Sequence, residues 1–155
     1  MAIYLVQYGA AKAEAEDPQR GLTDEGRRTV ERVGDHLAKC GGALDRIEHS
    51  DKTRARQTAE ILAAKLHPAH RTAQVPGLAP NDDVEPTCAR LNQETATVML
   101  VGHLPHLSRL VSRLFGLPAD RTLVQFQMGG VVKLERDASG QWTLCWMFTP
   151  DLLFR

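Results

Sequence analysis

No apolar run in this sequence approaches the roughly 18 residues that a membrane-spanning helix needs. The N-terminus shows no charged stretch ahead of an apolar one, so a secretory leader is not expected. Nor does charge of either sign predominate. Nineteen Lys and Arg offset nineteen Asp and Glu, which gives no support for nonspecific binding to nucleic acid or a membrane surface. Cysteine is sparse: Cys40, Cys88 and Cys145 are an odd, scattered set without a CxxC pair. Neither a disulfide framework nor a zinc site is expected, and the reading is three reduced thiols in a cytoplasmic protein. There is no internal repeat and no low-complexity segment. What remains is ordinary globular composition, 43% apolar and 25% charged over 155 residues, enough for a single domain, 1–155, with a sizeable core.

Within that composition the chain alternates between two hydrophobic periods. Ala2 to Tyr8 is a short apolar run rich in strand formers and reads as a buried strand. Ala10 to Gly21 is a polar loop. Thr23 then suits a helix N-cap, with Asp24 and Glu25 in the first turn, where the helix dipole favours acids. Val30, Val33 and Leu37 follow at helical spacing, and Gly41-Gly42 closes that helix. Arg46 to His49 is a short strand candidate. Thr53 to Leu66 reads as a helix with Ala55, Ala59, Leu62 and Leu66 on one face, stopped by Pro68. A Pro, Gly, Asn and Asp loop fills Val75 to Asp83, and a short helix spans Val84 to Asn92. Thr97 to Val101 is the clearest buried strand. It turns at Gly102-His103-Leu104-Pro105 into a helix through Leu114. Val131 to Glu135 and Trp142 to Phe148 form a hairpin about Asp137-Ala138-Ser139-Gly140. Strand–helix alternation early and a hairpin late predict an α/β fold with a mixed sheet and helices on both faces. Ligands in such sheets sit beyond the carboxyl ends of strands. Gln7-Tyr8-Gly9, His49-Ser50 and Gly102-His103 meet that condition.

Two of those ends carry residues suited to an anion. Arg54 opens a helix, where free backbone N–H groups and a guanidinium together suit phosphate or carboxylate. His103 leaves a buried strand just before a helix and can donate to, or exchange protons with, a bound anion. His106 reads as a rim or surface side chain. His36, His67 and His70 lie among polar residues and read as solvent-facing.

Taken together and in order, these stretches resemble the histidine phosphatase superfamily over essentially the whole chain, in particular its small SixA-type branch, the protein-phosphohistidine phosphatases. IYLVQYGAA stands where that family has a strand ending in Arg-His-Gly. RGLTDEGRRTVERVGDHL matches its LTxxG helix start through Leu22, Thr23 and Gly26. SDKTRARQTAEIL matches SPxxRAxQTAxxL through Ser50, Arg54, Gln57 and Thr58. VMLVGHLPHLSRLV matches vllVGHxPxLsxL. The resemblance implies a phosphoglycerate mutase-like three-layer α/β/α sandwich with a mixed, mostly parallel sheet and a C-terminal β-hairpin. In the family the first His takes the phosphoryl group and passes it to water, while two Arg and a second His hold the phosphate oxygens. That chemistry needs no metal or other cofactor. The SixA branch generally lacks the acid that larger members use to protonate the leaving group, so Asp82 is expected to be a loop and capping residue.

Carried over residue by residue, only half of that machinery is present. Arg54 matches the second Arg, His103 the second His and Gly9 the Gly of the first motif, but Gln7 stands for the first Arg and Tyr8 for the nucleophile. Gln7 brings neither charge nor a bidentate fork. A phenol with pKa near 10 is only about 0.1% ionised at pH 7. The expectation is a phosphatase fold with little or no phosphatase activity that keeps a pocket for a phosphate-bearing ligand or phosphoprotein, formed by Gln7, Gly9, Arg54 and His103. Arg20, His49, Ser50 and Asn81 are possible rim residues. Two alternatives stay open: an altered phosphatase using Tyr8, His49 or His103, or a protein-interaction module with an empty pocket.

Overall fold

The computed structural model describes residues 1–154, excluding the side chain of Phe154. Six strands form one sheet: β1 (Ala2–Gln7), β2 (Arg46–His49), β3 (Ala73–Gln74), β4 (Val98–Gly102), β5 (Val131–Arg136) and β6 (Trp142–Phe148). Four helices connect them: α1 (Asp24–Cys40), α2 (Thr53–Leu66), α3 (Glu85–Gln93) and α4 (His106–Leu114), and a 3-10 turn over Pro150–Phe154 follows β6. The sheet order is β3-β2-β4-β1-β5-β6. The β3-β2, β2-β4 and β4-β1 pairs are parallel, whereas β1-β5 and β5-β6 are antiparallel.

Side-chain alternation along the strands explains the layers. Ile3, Leu5, Val98 and Leu100 face one way, into a core with Leu91 of α3 and Leu107, Leu110 and Val111 of α4. Val6, Ile47, Met99 and Val101 face the other, into a core with Val30 and Val33 of α1 and Ala55, Ala59 and Leu62 of α2. A strand covered on both faces has no polar face to show. All five residues of β4 are therefore buried, and the strand reads as one continuous apolar run. The expected three-layer α/β/α sandwich is thus observed, with its mostly parallel sheet and terminal hairpin.

Local signals set the helix ends. Thr23 caps α1 by accepting the Gly26 N–H at 2.9 Å, and Gly41 leaves the helix at φ 71°. At the end of α2, His67 takes a left-handed conformation directly before Pro68. Glu48 is buried on the α3 side of the sheet, 4% exposed, because Arg46 and Arg90 both pair with it.

Besides the 3-10 turn over Pro150–Phe154, two features lie outside the sequence expectation. β3 is a two-residue strand carried only by its parallel pairing with β2. In the hairpin, Lys133 pairs with Trp146 and Leu134 with Leu144, so Cys145 is a bulged extra residue. His36 also departs from its reading as solvent-facing. It is half-buried because its ring stacks on Phe148 at 4.6 Å. His67 and His70 are exposed as expected.

Candidate active site

β1, β4 and β2 are neighbours and run parallel, so their carboxyl ends open at the same edge of the sheet. The backbone there is tied down. The Tyr8 N–H donates to Gly102 O at 3.2 Å, and the Gly129 N–H is shared between Gln7 O at 2.9 Å and Tyr8 O at 3.1 Å. The Gly9 N–H donates to Thr58 Oγ1 at 3.0 Å, and that hydroxyl donates to Arg54 O at 2.8 Å. One side chain of α2 thereby fastens the first strand end to the helix turn that carries Arg54. Gln57, one position earlier, accepts the Leu22 N–H at 2.8 Å and holds the entry to α1.

Around this frame Tyr8 lies between the two residues expected to meet it. The Arg54 guanidinium carbon is 4.8 Å from the Tyr8 ring centroid, a cation–π separation. The His103 ring lies 5.1 Å from Tyr8, tilted by 47°. Ser50 Oγ is 2.6 Å from His103 Nε2 and also accepts the Lys52 N–H at 3.3 Å. Gln7, Ser50 and His103 are buried, and Gln7 Oε1, Arg54 Nε and His103 Nδ1 are shielded from solvent with no hydrogen-bond partner among the described residues. Buried polar atoms in folded proteins are overwhelmingly paired, and two of these exceptions belong to the residues that contact the Tyr8 ring, Arg54 and His103.

The outer positions divide. His49 is buried on the α2 side of the sheet, with Nδ1 at 2.8 Å from Ser50 O. Arg20 sits in a left-handed conformation, φ 50°, and donates through Nε to Lys12 O at 3.2 Å. Asn81 is exposed in the loop before α3. Beside it Asp82 accepts the Ala79 N–H at 2.9 Å, a turn-capping role. His106 corrects its reading as a rim residue: it is fully buried, with the Gly77 backbone as the polar neighbour of its ring. The cause is tertiary, because the first turn of α4 is covered over. A separate cavity of about 240 Å³ lies at the opposite end of the parallel strands, lined by Tyr4, Leu37, Gly42, Leu44 and Leu66, away from all of these residues.

The sequence model of the histidine phosphatase superfamily (branch 1) matches residues 3–79, from β1 through α2 to the loop beyond β3. The chain belongs to the histidine phosphatase superfamily. An uncharacterized protein of Picosynechococcus sp. is 37% identical over 115 residues, covering 69% of this chain and 68% of that protein. The phosphohistidine phosphatase SixA of Escherichia coli K12 is 28% identical over 155 residues, covering 97% of this chain and 94% of that one. A solved structure of the protein histidine phosphatase SixA complexed with tungstate superposes with a TM-score of 0.87 at 26% identity, covering 99% of both chains. The superfamily fold therefore extends through β5 and β6, beyond the segment that the family model covers. Among the described residues no helix is long and apolar enough to cross a membrane.

The electrostatics of the site follow from burial. Desolvation first, then the positive charges of Arg54 and Lys52, push the His103 pKa down to about 4. Burial also lowers His106, with the Asp82 charge opposing. Both imidazoles are expected to be neutral at pH 7. The unfolded chain, with His103 near 6.5, binds its proton first as pH falls, so stability is lost between about pH 6.5 and pH 4. The full His103 contribution is about 3 kcal/mol at 1.36 kcal/mol per unit. Urea denaturation at pH 7, 5.5 and 4.5 should show the stability gap between the native chain and His103→Gln narrowing toward acid. A gap independent of pH would contradict the depressed value.

Proposed function

We propose that this protein is a SixA-like domain that has lost most or all phosphatase turnover and retains a pocket for a phosphate group carried by a small ligand or a phosphoprotein. The observation that carries the reading is Tyr8 itself, which stands between Arg54 and His103 at the end of β1, directly after Gln7. Phosphoryl transfer asks for an in-line nucleophile with an available lone pair and for cations on the equatorial oxygens. In this reading Arg54, the N-terminus of α2 and the neutral His103 supply the binding half, and Gln7 offers its amide in place of a guanidinium. The attacking half is missing, since a phenol needs an adjacent base or a strong positive field to ionise.

Neither substitute nucleophile is favoured by the geometry. His103 has Nε2 engaged by Ser50, and His49 is buried with Nδ1 against the Ser50 carbonyl. The solved relative complexed with tungstate makes that oxyanion the natural probe. Calorimetry should show tungstate binding that weakens at least about tenfold in Arg54→Ala, the loss of one charge-assisted hydrogen bond at about 1.4 kcal/mol per decade. Hydrolysis of a phosphohistidine protein should stay at the level of the buffer control. Turnover that disappears in His103→Ala would overturn the loss of activity, and absence of tungstate binding would overturn the retained pocket.

A further inference from the structure

Ser50 has a more specific place than the rim. Its hydroxyl is 1% exposed and has two neighbours: the Lys52 N–H, which donates to it at 3.3 Å, and His103 Nε2 at 2.6 Å. The Lys52 amide has no lone pair to offer. Among the described residues, His103 Nε2 is therefore the one group within reach that can accept the Ser50 hydroxyl hydrogen.

The two tautomers of His103 differ in what they leave unpaired. If Nε2 carries the proton it donates to Ser50 Oγ. The buried hydroxyl hydrogen then has no acceptor, and the Nδ1 lone pair has no donor. If Nδ1 carries the proton, the hydroxyl donates to Nε2, and only the Nδ1–H remains free. Each buried unsatisfied polar group costs on the order of 1–3 kcal/mol, so the second arrangement is the more stable. Burial of both partners, with His103 also 1% exposed, removes water as an alternative partner.

We propose that Ser50 is a positioning residue that locks His103 in the Nδ1–H tautomer, so that the unpartnered Nδ1–H is a fixed hydrogen-bond donor for an oxyanion in the pocket. The second half of this statement rests on the binding reading above; the tautomer does not. The donor would act beside Arg54, whose buried Nε is likewise unpartnered. Fixing the tautomer before the ligand arrives leaves no proton to relocate on binding, and an oxyanion reaches the shielded Nδ1 once a neighbouring side chain moves aside. The requirement on residue 50 is a short side chain with a hydroxyl, since an alkyl group of the same size leaves Nε2 bare.

The test is long-range proton–nitrogen NMR of the His103 ring, at pH 7, in the native chain, Ser50→Ala and Ser50→Thr. The native chain should show the Nδ1–H pattern, Ser50→Ala a mixture or the Nε2–H form, and Ser50→Thr the native pattern. Tungstate affinity should fall about tenfold in Ser50→Ala and be regained in Ser50→Thr. A native ring protonated at Nε2 overturns the proposal whatever the variants do. So does an unchanged tautomer in a folded Ser50→Ala. If tungstate binds none of the three, the retained pocket fails as a function and the donor role fails with it, while the native tautomer still decides the lock.

Discussion

Restoring both first-motif side chains, Gln7→Arg with Tyr8→His, is expected to raise hydrolysis of a phosphohistidine peptide at least about 10³-fold above the native chain at pH 7. Two terms set the scale. The nucleophile changes from a phenolic hydroxyl, which must give up a proton before it can attack, to an imidazole with a free lone pair at neutral pH, and general-base activation of a nucleophile is worth on the order of 10²–10⁴-fold. The guanidinium adds a charge-assisted, bidentate contact worth roughly one to two decades. The prediction is specific because the two side chains are not what holds the strand end in place. Backbone bonds from Tyr8 to Gly102, from Gly129 to Gln7 and Tyr8, and from Gly9 to Thr58 do that, and they survive the substitutions. Tyr8→His fits a smaller ring into the same space, whereas Gln7→Arg must enter a position only 7% exposed.

The two changes should not add. Gln7→Arg alone stays at background, having gained a cation without a nucleophile. Tyr8→His alone gains part of the rate, and the pair gains more than the sum, as expected of groups that act as a unit. A phosphoenzyme trapped on residue 8 of the double variant would identify the attacking atom. A double variant that folds, binds tungstate and remains inactive would falsify the view that the remainder of the site has stayed assembled.

The parts of this site legible in the sequence were those encoded by local pattern. Short continuous apolar runs gave β1 and β4, the Thr23 cap gave the start of α1, and the position of residues 7–9, 49–50 and 102–103 at strand ends predicted that they meet. The parts that were not legible depend on partners far along the chain. Ser50 and His103 are 53 residues apart, and Gly9 and Thr58 are 49 apart; no periodicity reports such a bond. His106 looks polar in sequence and is buried because the start of α4 is covered in the fold. His36 gains its cover from Phe148, on a strand more than a hundred residues later. Glu48 is tolerated inside the sheet because Arg46 and Arg90 converge on it, a pairing that depends on where α3 lies. β3 is two residues long, too short for any pattern to register.

Gly26→Ala is the expected largest loss, and it follows from how closely α1 approaches the site loop. A Cβ at Gly26 would lie 2.2 Å from Ala10 O and 3.0 Å from both Ala10 C and N. Those are backbone atoms directly after Gly9, and no rotamer change can move them aside. The approach is mutual: a Cβ at Gly9 would meet Val30 Cγ2 at 2.7 Å and Gly26 O at 3.3 Å. The same contact carries useful bonds, since the Thr23 N–H donates to Ala10 O at 3.0 Å. In a free helix the change would stabilise by up to about 1 kcal/mol, Gly being the poorer helix former. Here that gain is outweighed, because overpacking typically costs 1–3 kcal/mol, occasionally more, and backbone displacement lies at the upper end. A net loss of about 2 kcal/mol corresponds to roughly 4–8 °C in Tm for a chain of this size. The substitution also pushes the Tyr8–Gly9 turn away from Arg54 and His103, so tungstate affinity should fall with stability. Gly34→Ala separates the two effects. Its Cβ would meet Lys65 Cγ at 2.7 Å across the α1–α2 contact, so it should lower Tm while tungstate affinity stays at the native value. Equal loss of affinity in both variants would mean that general destabilisation, and not the position of the first-motif turn, controls the pocket.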